Sequence, residues 1–320
     1  MRFPFREAKI KPIIVGMLKY SSIMKRILPV STGGTNNSRY CYSVWFRHLK
    51  YLAAYNNNII PQKIAELGPG DSLGIGLAAL LSGSENYYAL DIIKYWDNNK
   101  NLKIFDDLVA LFYKRESIPD NKEFPNAYPI LDCYDFPSDI LPDEALKKSL
   151  APDRIAAIRS ELCNFGSKEN SFINYQIPWY DSKVIHYHTL DFIFSQAVLE
   201  HIDDLENTYK AMHEWLSPSG MMSHCIDFKS HGFAKSWNGH WTFSDFEWKI
   251  IVGGRKYSIN RQPFSKHLAI QEKYNFRILE KFPNKSENNL KRSSLAKKFE
   301  NLSDKDLSTS EVYVLSIKNK

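Results

Sequence analysis

Residues Ile64 to Asp91 read IAELGPGDSLGIGLAALLSGSENYYALD, and this stretch decides the fold. Ile64, Ala65 and Leu67 suit a short apolar strand, and Gly68-Pro69-Gly70 forces a tight turn. Glycine tolerates positive φ, and its missing Cβ lets a ligand approach the backbone. Leu73, Leu77, Leu80 and Leu81 recur at helical spacing, which predicts a helix with one face on a sheet. Tyr87 to Leu90 read as the next strand, ending on Asp91. In a doubly wound sheet an acid about 20 residues past the glycines meets a ribose hydroxyl. The unit reads as a site for a nucleoside-containing cofactor, with Glu66, Gly68, Pro69, Gly70, Asp71, Asp91 and Ile92 as candidate contacts.

A dinucleotide fingerprint needs G-x-G-x-x-G with the pyrophosphate on the helix N-terminus. Here the glycines are Gly68, Gly70 and Gly74, so the third falls one place late. Asp71 puts negative charge where a pyrophosphate would lie, and Glu66 suits a cationic ligand better. A dehydrogenase is disfavoured on these grounds. The E-x-G-x-G pattern with an acid after the next strand resembles motifs I and II of the class I S-adenosylmethionine-dependent methyltransferases. Ser72 stands where that family usually carries a third glycine.

A second stretch, Leu190 to Asp204, reads LDFIFSQAVLEHIDD. Asp191 to Phe194 predict a buried strand, and Ser195-Gln196 turn the chain out over the cofactor. Asp203 and Asp204 offer N-cap oxygens to a helix with the face Leu205, Tyr209, Met212 and Leu216. Trp215 to Gly220 would stop that helix, and Met221 to Phe228 read as a further strand. The order D-x-I-x-S-x-x-V-L-E-H, helix, W-L-S-P-S-G, strand resembles motifs IV to VI of the same family. The stretches S-Q-A-V-L-E-H, H-C-I-D-F and N-G-H-W resemble a subgroup associated with bacterial glycan and secondary-metabolite pathways.

His201 is a candidate proton acceptor, because imidazole titrates nearest neutrality. Some relatives hold a divalent metal with Glu-x-x-Glu-His, but Ala197 replaces the first glutamate, so no metal is expected. A structural role for Glu200-His201 stays open beside these. Downstream, His224, Asp227 and His231 could wall a site for a hydroxylated substrate, with Asp227 orienting a histidine. Alternation along the strand sends His224 and Ile226 one way, Cys225 and Asp227 the other.

The remainder of the 320 residues frames these motifs. A hydrophobic content of 43% supports a sizeable core, and a net charge of +6 is modest. The four scattered cysteines (Cys41, Cys133, Cys163, Cys225) lack a C-x-x-C, which argues against a zinc ribbon or disulfide framework and fits reduced thiols in the cytoplasm. No apolar run of about 18 residues predicts a membrane span. The basic, apolar N-terminus reads as a helix covering the body of the protein or as peripheral contact with an anionic membrane. Tyr42, Trp45, Phe46 and Leu49 mark a helix before the first strand, which reads equally as a packing helix or, as the resemblance implies, a lid with Arg39 and Tyr40 near the cofactor carboxylate. Residues 116–170, rich in prolines, form an insertion with a helical piece near Ile155. Phe172 to Tyr175 suit a third strand, followed by Trp179 where the resemblance puts adenine.

Between Trp237 and Trp248 the chain is rich in aromatic residues, which read either as a sugar-binding wall with Asn238 and His240 or as a small core. Asn260-Arg261 offers a bidentate anion contact. Asn284 to Lys298 reads as a solvated loop between closing strands Phe276–Phe282 and Glu311–Ile317.

The expectation is an α/β protein with an open, mostly parallel, seven-stranded Rossmann-like sheet, helices on both faces and antiparallel closing strands. Residues 1–58 would form an N-terminal helical cap. Residues 59–320 would form the catalytic domain, with the 116–170 helical insertion and an aromatic substrate loop over 229–262. The resemblance implies methyl transfer from S-adenosyl-L-methionine to an oxygen or nitrogen of a small molecule or saccharide. Glu66, Gly68, Pro69, Gly70, Asp71, Asp91, Ile92, Ser195 and Gln196 would hold the cofactor, and His201, His224, Asp227 and His231 would serve catalysis. No nucleic-acid partner is expected, because the basic residues are not interleaved with aromatics in one run. A nucleic-acid methyltransferase and a non-catalytic binding module remain the alternatives, and a homodimer is left open.

Overall fold

The computed structural model describes residues 4–18, 34–94, 97–164, 172–179, 181–255, 257–288 and 290–319. Arg2, Lys19, Ile23, Lys25, Arg26 and Leu28, which carry much of the basic N-terminal pattern, lie outside them.

The centre is one sheet of seven strands: β1 (Lys63–Leu67), β2 (Asn86–Leu90), β3 (Ile173–Gln176), β4 (Leu190–Gln196), β5 (Leu216–Asp227), β6 (Phe276–Lys285) and β7 (Thr309–Lys318). Their order is β3-β2-β1-β4-β5-β7-β6. Neighbours from β3 to β5 are parallel, while β7 runs antiparallel to both β5 and β6. Thus β7 alone opposes the rest. The open, mostly parallel sheet matches the expectation, and apolar runs such as LDFIFSQ reflect strands covered on both faces. One boundary differs. Trp215 to Gly220 do not simply end a helix, because Leu216 already pairs with Leu190 and the register shifts before Phe192 meets Met221.

One face carries α2 (Ser38–Ala53), α3 (Gly74–Ser82) and α4 (Asn98–Lys114). Asn37 starts α2, its side chain accepting from the N–H groups of Arg39 and Tyr40. Cys41, Tyr42, Val44, Trp45, Phe46 and Leu49 are all buried, and the Trp45 indole donates to Ser82 Oγ at 2.7 Å. This helix is part of the main core and not a detachable lid. The other face carries α7 (Leu205–Trp215) and α9 (Phe264–Lys273), packed through Tyr209, Met212 and Trp215 onto Ile193, Met222 and Ile226.

The segment 1–58 divides between two places. While α2 joins the core, α1 (Ile10–Leu18) packs on α8 (Asp245–Val252). The contact is close at Gly16, whose carbonyl accepts from Gly254 N–H at 2.9 Å and where any Cβ would meet the backbone of Val252. An isolated bridge between Ala8 and Ala234 ties the same layer together.

The insertion contains an irregular run over 116–141, then α5 (Asp143–Ser149) and α6 (Pro152–Cys163). Irregular backbone near a core must still satisfy its polar groups. Arg47, fully buried on α2, does much of this by donating to the carbonyls of Pro119, Ala127 and Pro129 and to Asn121 Oδ1.

Candidate active site

β1 and β4 are neighbours while their connections leave in opposite directions, so the carboxyl ends of these strands frame the crevice where doubly wound sheets bind ligands. A cavity of about 1770 Å³ opens there. Its one end is walled by Glu66, Gly68, Pro69, Gly70, Asp91 and Ile92, its other by His201, Asp227, His231 and Glu311. Nine acidic side chains and two lysines line it, a balance that favours a cationic ligand over a pyrophosphate.

Gly68 and Gly70 adopt φ of 65° and 73°, the left-handed region that a tight turn requires of glycine. The Gly68 N–H donates to Leu90 O at 2.8 Å, closing the turn onto β2. Gly74, one place late for a phosphate loop, has another purpose. A Cβ there would collide with Cys41, so this glycine lets α3 approach α2. Ser72 Oγ accepts from the Gly74 N–H at 3.1 Å, and Leu73 N–H donates to Asn101 Oδ1 at 2.9 Å, so side chains satisfy the start of α3.

Glu66 is almost wholly buried, and the Tyr87 hydroxyl donates to its Oε2 at 2.5 Å. Gly76 makes room for that hydroxyl, because a Cβ there would fall within the Tyr87 ring. Burial pushes the Glu66 carboxyl up to about 8 despite the tyrosine. Asp91 Oδ1 accepts from the N–H groups of Ile92 and Ile93 at 2.7 and 3.2 Å, and burial raises this carboxyl also. Two expected contacts fall outside the cavity wall. Asp71 follows the turn without lining it, and Ser195 is enclosed, with its hydroxyl 2.8 Å from His224 Nδ1. Gln196 does reach the wall, where His48 Nε2 lies 3.3 Å from its Oε1.

At the far end, His201 closes a 3-10 turn over Leu199–His201. Asn260 clamps that turn, its side-chain amide donating to the carbonyls of Leu199 and Ile202, each at 2.8 Å. His201 Nδ1 lies 3.0 Å from Tyr257 O, and the His201 and His231 rings meet edge to face at 5.1 Å. Burial, helped by His231, lowers His201 to about 4 and keeps its imidazole neutral. His231 Nε2 faces Asp227 Oδ2 at 3.4 Å, and Lys229 Nζ lies 3.2 Å from Asp227 Oδ1. Burial works to raise Asp227, but the hydrogen bond from His231 and the Lys229 ammonium prevail and hold it below the usual range. Glu200 is buried beneath, and desolvation reinforced by Asp227 drives its carboxyl well above the ordinary value.

His224 does not join this group. The alternation along β5 carries it to the opposite face, under Tyr209 and near His267, where burial lowers it to about 3. The expected wall of His224, Asp227 and His231 therefore reduces to Asp227 and His231, joined by His201. Most of the aromatic loop is likewise turned inward, although Phe246 stays exposed. Trp241 packs with Leu295, Ala296, Phe299 and Leu307, and Asn238 and His240 are buried, so these residues form a small core and not a sugar-facing wall. That packing also takes Leu295 and Ala296 out of the loop expected to be solvated. Arg261 is spent on Phe243 O at 2.7 Å, on Asp245, and on the rings of Trp248 and Phe299, leaving no fork for an anion. Arg39 pairs with Glu116 and Glu123, whereas Tyr40 lines the cavity. Trp179 lines it too, edge-on to Trp215 at 5.6 Å.

Two wall segments carried no sequence signal of their own. Thr35 to Asn37 lie against the glycine turn, and Glu123 to Ala127 of the insertion close one side. Their composition is that of ordinary loops.

No family model matches the chain, and no curated protein matches it. Among solved structures, it is similar to a Haemonchus contortus phosphoethanolamine N-methyltransferase 2 bound to S-adenosyl-L-methionine, at 13% identity and a TM-score of 0.43. That likeness covers 96% of this chain and 57% of the other. It is also similar to an S-adenosylmethionine-dependent methyltransferase from Mesorhizobium loti, at 12% identity and a TM-score of 0.41, over 86% of this chain and 98% of that one.

Proposed function

We propose that the protein is an S-adenosylmethionine-dependent methyltransferase acting on an oxygen or nitrogen of a small molecule or saccharide. The observation that carries this reading is the continuous cavity joining the glycine turn and Asp91 to a cluster of imidazole and carboxylate groups. Its acidic lining suits a ligand bearing both a sulfonium and an ammonium. Gly68 and Gly70 would lie against the cofactor, and Asp91 would accept from its ribose hydroxyls. Bound there, S-adenosylmethionine would supply an electrophilic methyl group.

The chain's own residues then have to align acceptor and donor, and alignment supplies much of the rate in such displacements. His201, held by Tyr257 O, presents its other ring nitrogen as a hydrogen-bond acceptor. Asp227 orients His231 beside it. Together they receive and hold the acceptor hydroxyl or amine. The acidic lining weighs against a nucleic-acid backbone in this cavity.

A thermal-shift series with S-adenosylmethionine, S-adenosylhomocysteine and nicotinamide dinucleotides tests the reading. A ligand at 100 times its dissociation constant stabilises by about 2.7 kcal/mol. Stabilisation by the dinucleotides alone would refute it.

A further inference from the structure

The geometry points to a divalent-cation site formed by Glu200, His201 and His231 at the acceptor end of the cavity. Each offers one ligand atom, and the three atoms lie within 4.8 Å of one another. Small side-chain movements from that spacing reach the roughly 2.0–2.2 Å bonds that imidazole and carboxylate make to such ions.

Three further observations support the site. Both carboxylate oxygens of Glu200 are buried without a hydrogen-bond partner of ordinary geometry, which is costly for a carboxyl group unless something else satisfies it. His201 turns Nδ1 to Tyr257 O at 3.0 Å, and His231 turns Nε2 to Asp227 at 3.4 Å. Backbone-carbonyl and carboxylate partners of this kind set the ring orientation of metal-bound histidines. Finally, His231 is held at φ of 45° while Ser230 N–H donates to Trp237 O at 2.6 Å. Strained backbone of that sort persists where the surroundings over-determine it, commonly at functional sites.

The Glu-x-x-Glu-His pattern lacks its first glutamate here, and Ala197 supplies no ligand. His231 comes instead from beyond the next strand. Two imidazoles and one carboxylate suit manganese, iron, cobalt or zinc(II) better than magnesium or calcium. Three protein ligands leave coordination positions open towards the cavity. With His201 bound to the cation, an acceptor oxygen would take one of these positions in place of a direct hydrogen bond to His201, a role that rests on the methyl-transfer reading, although cation binding itself does not.

Cobalt(II) titration of the chelator-treated protein, followed by visible absorption and calorimetry, tests the site. One ion per chain is expected, with Glu200→Gln and His231→Asn each weakening it by roughly 100-fold. His186→Ala, at an exposed histidine, should leave it unchanged. Melting curves of the metal-free variants check that they fold. Absence of stoichiometric uptake by the native protein, or uptake that survives both variants, overturns the proposal. Calorimetry with S-adenosylmethionine on the same samples separates the two readings. Cofactor binding without cobalt uptake sinks only the cation site, and cobalt uptake without cofactor binding sinks only methyl transfer.

Discussion

Replacing Glu66 by glutamine isolates the cost of burying an acid beneath the glycine turn. The amide would keep the side-chain volume and an oxygen to accept from Tyr87, and would lose only the ability to ionise. In the folded protein burial raises this carboxyl from 4.5 to about 8. Between those values the folded state holds a proton that the unfolded chain has released, so stability falls as pH rises. The slope from one such group is about 1.4 kcal/mol per pH unit. Across the window from 4.5 to about 8 the penalty reaches the order of 5 kcal/mol. Below 4.5 both states are protonated and it vanishes. Urea unfolding of the native protein and Glu66→Gln at half-unit pH steps should therefore give curves that coincide near pH 4.5 and separate towards pH 8, with the variant more stable. Other titrating groups cancel in the difference. Parallel curves over this range would show that Glu66 is ionised in the fold and that the burial argument is wrong.

Asp91→Ala should weaken S-adenosylmethionine binding by about 1–3 kcal/mol, the worth of a hydrogen bond to a charged group, and calorimetry reads this directly. Unchanged affinity would remove Asp91 from the ribose. His224→Ala should cost roughly 2–4 kcal/mol of stability, because it opens a hole under Tyr209 and strips Ser195 of its partner, yet leave cofactor affinity intact. A loss of cofactor binding without a loss of stability would return His224 to the site. Arg47→Ala should leave the carbonyls of Pro119, Ala127 and Pro129 without their donor and expose the 119–129 run to protease well below the melting temperature. Unaltered cleavage kinetics would show that the insertion is held by its apolar contacts alone.

The βαβ unit was legible because its signals are local: Gly68 and Gly70 demand a turn, and the leucines of α3 repeat at helical spacing. Asp91 follows from the same logic. The histidines were less legible. Alternation correctly separated His224 from Asp227, but a sheet covered on both faces gives no pattern that says which side meets the cavity. Ser195 and Gln196 end β4 without turning, so only the turn after them, at Ala197 and Leu199–His201, and the path of the chain after Asp227 bring His201 and His231 together. The aromatic loop stayed undecided between wall and core for a related reason, since buried and sugar-facing tryptophans look alike in composition, and their burial depends on Leu295, Ala296 and Phe299 arriving from far along the chain. Gly74 stands one place late for a phosphate loop, and what requires a glycine there is Cys41, on a helix that precedes the motif. Such pairwise contacts leave no trace in periodicity.

The seating of α1 has a consequence for biosynthesis. Gly16 closes on residues 252 to 254, so its partners leave the ribosome more than two hundred residues later. At translation speeds of about 5–20 residues per second, the segment waits roughly 10 to 50 s before its docking surface exists. Ile10, Ile14 and Met17 keep substantial exposure even in the finished fold. During synthesis this helix therefore offers apolar side chains to nascent-chain chaperones or to neighbouring polysomes, while the sheet behind it is already being laid down strand by strand.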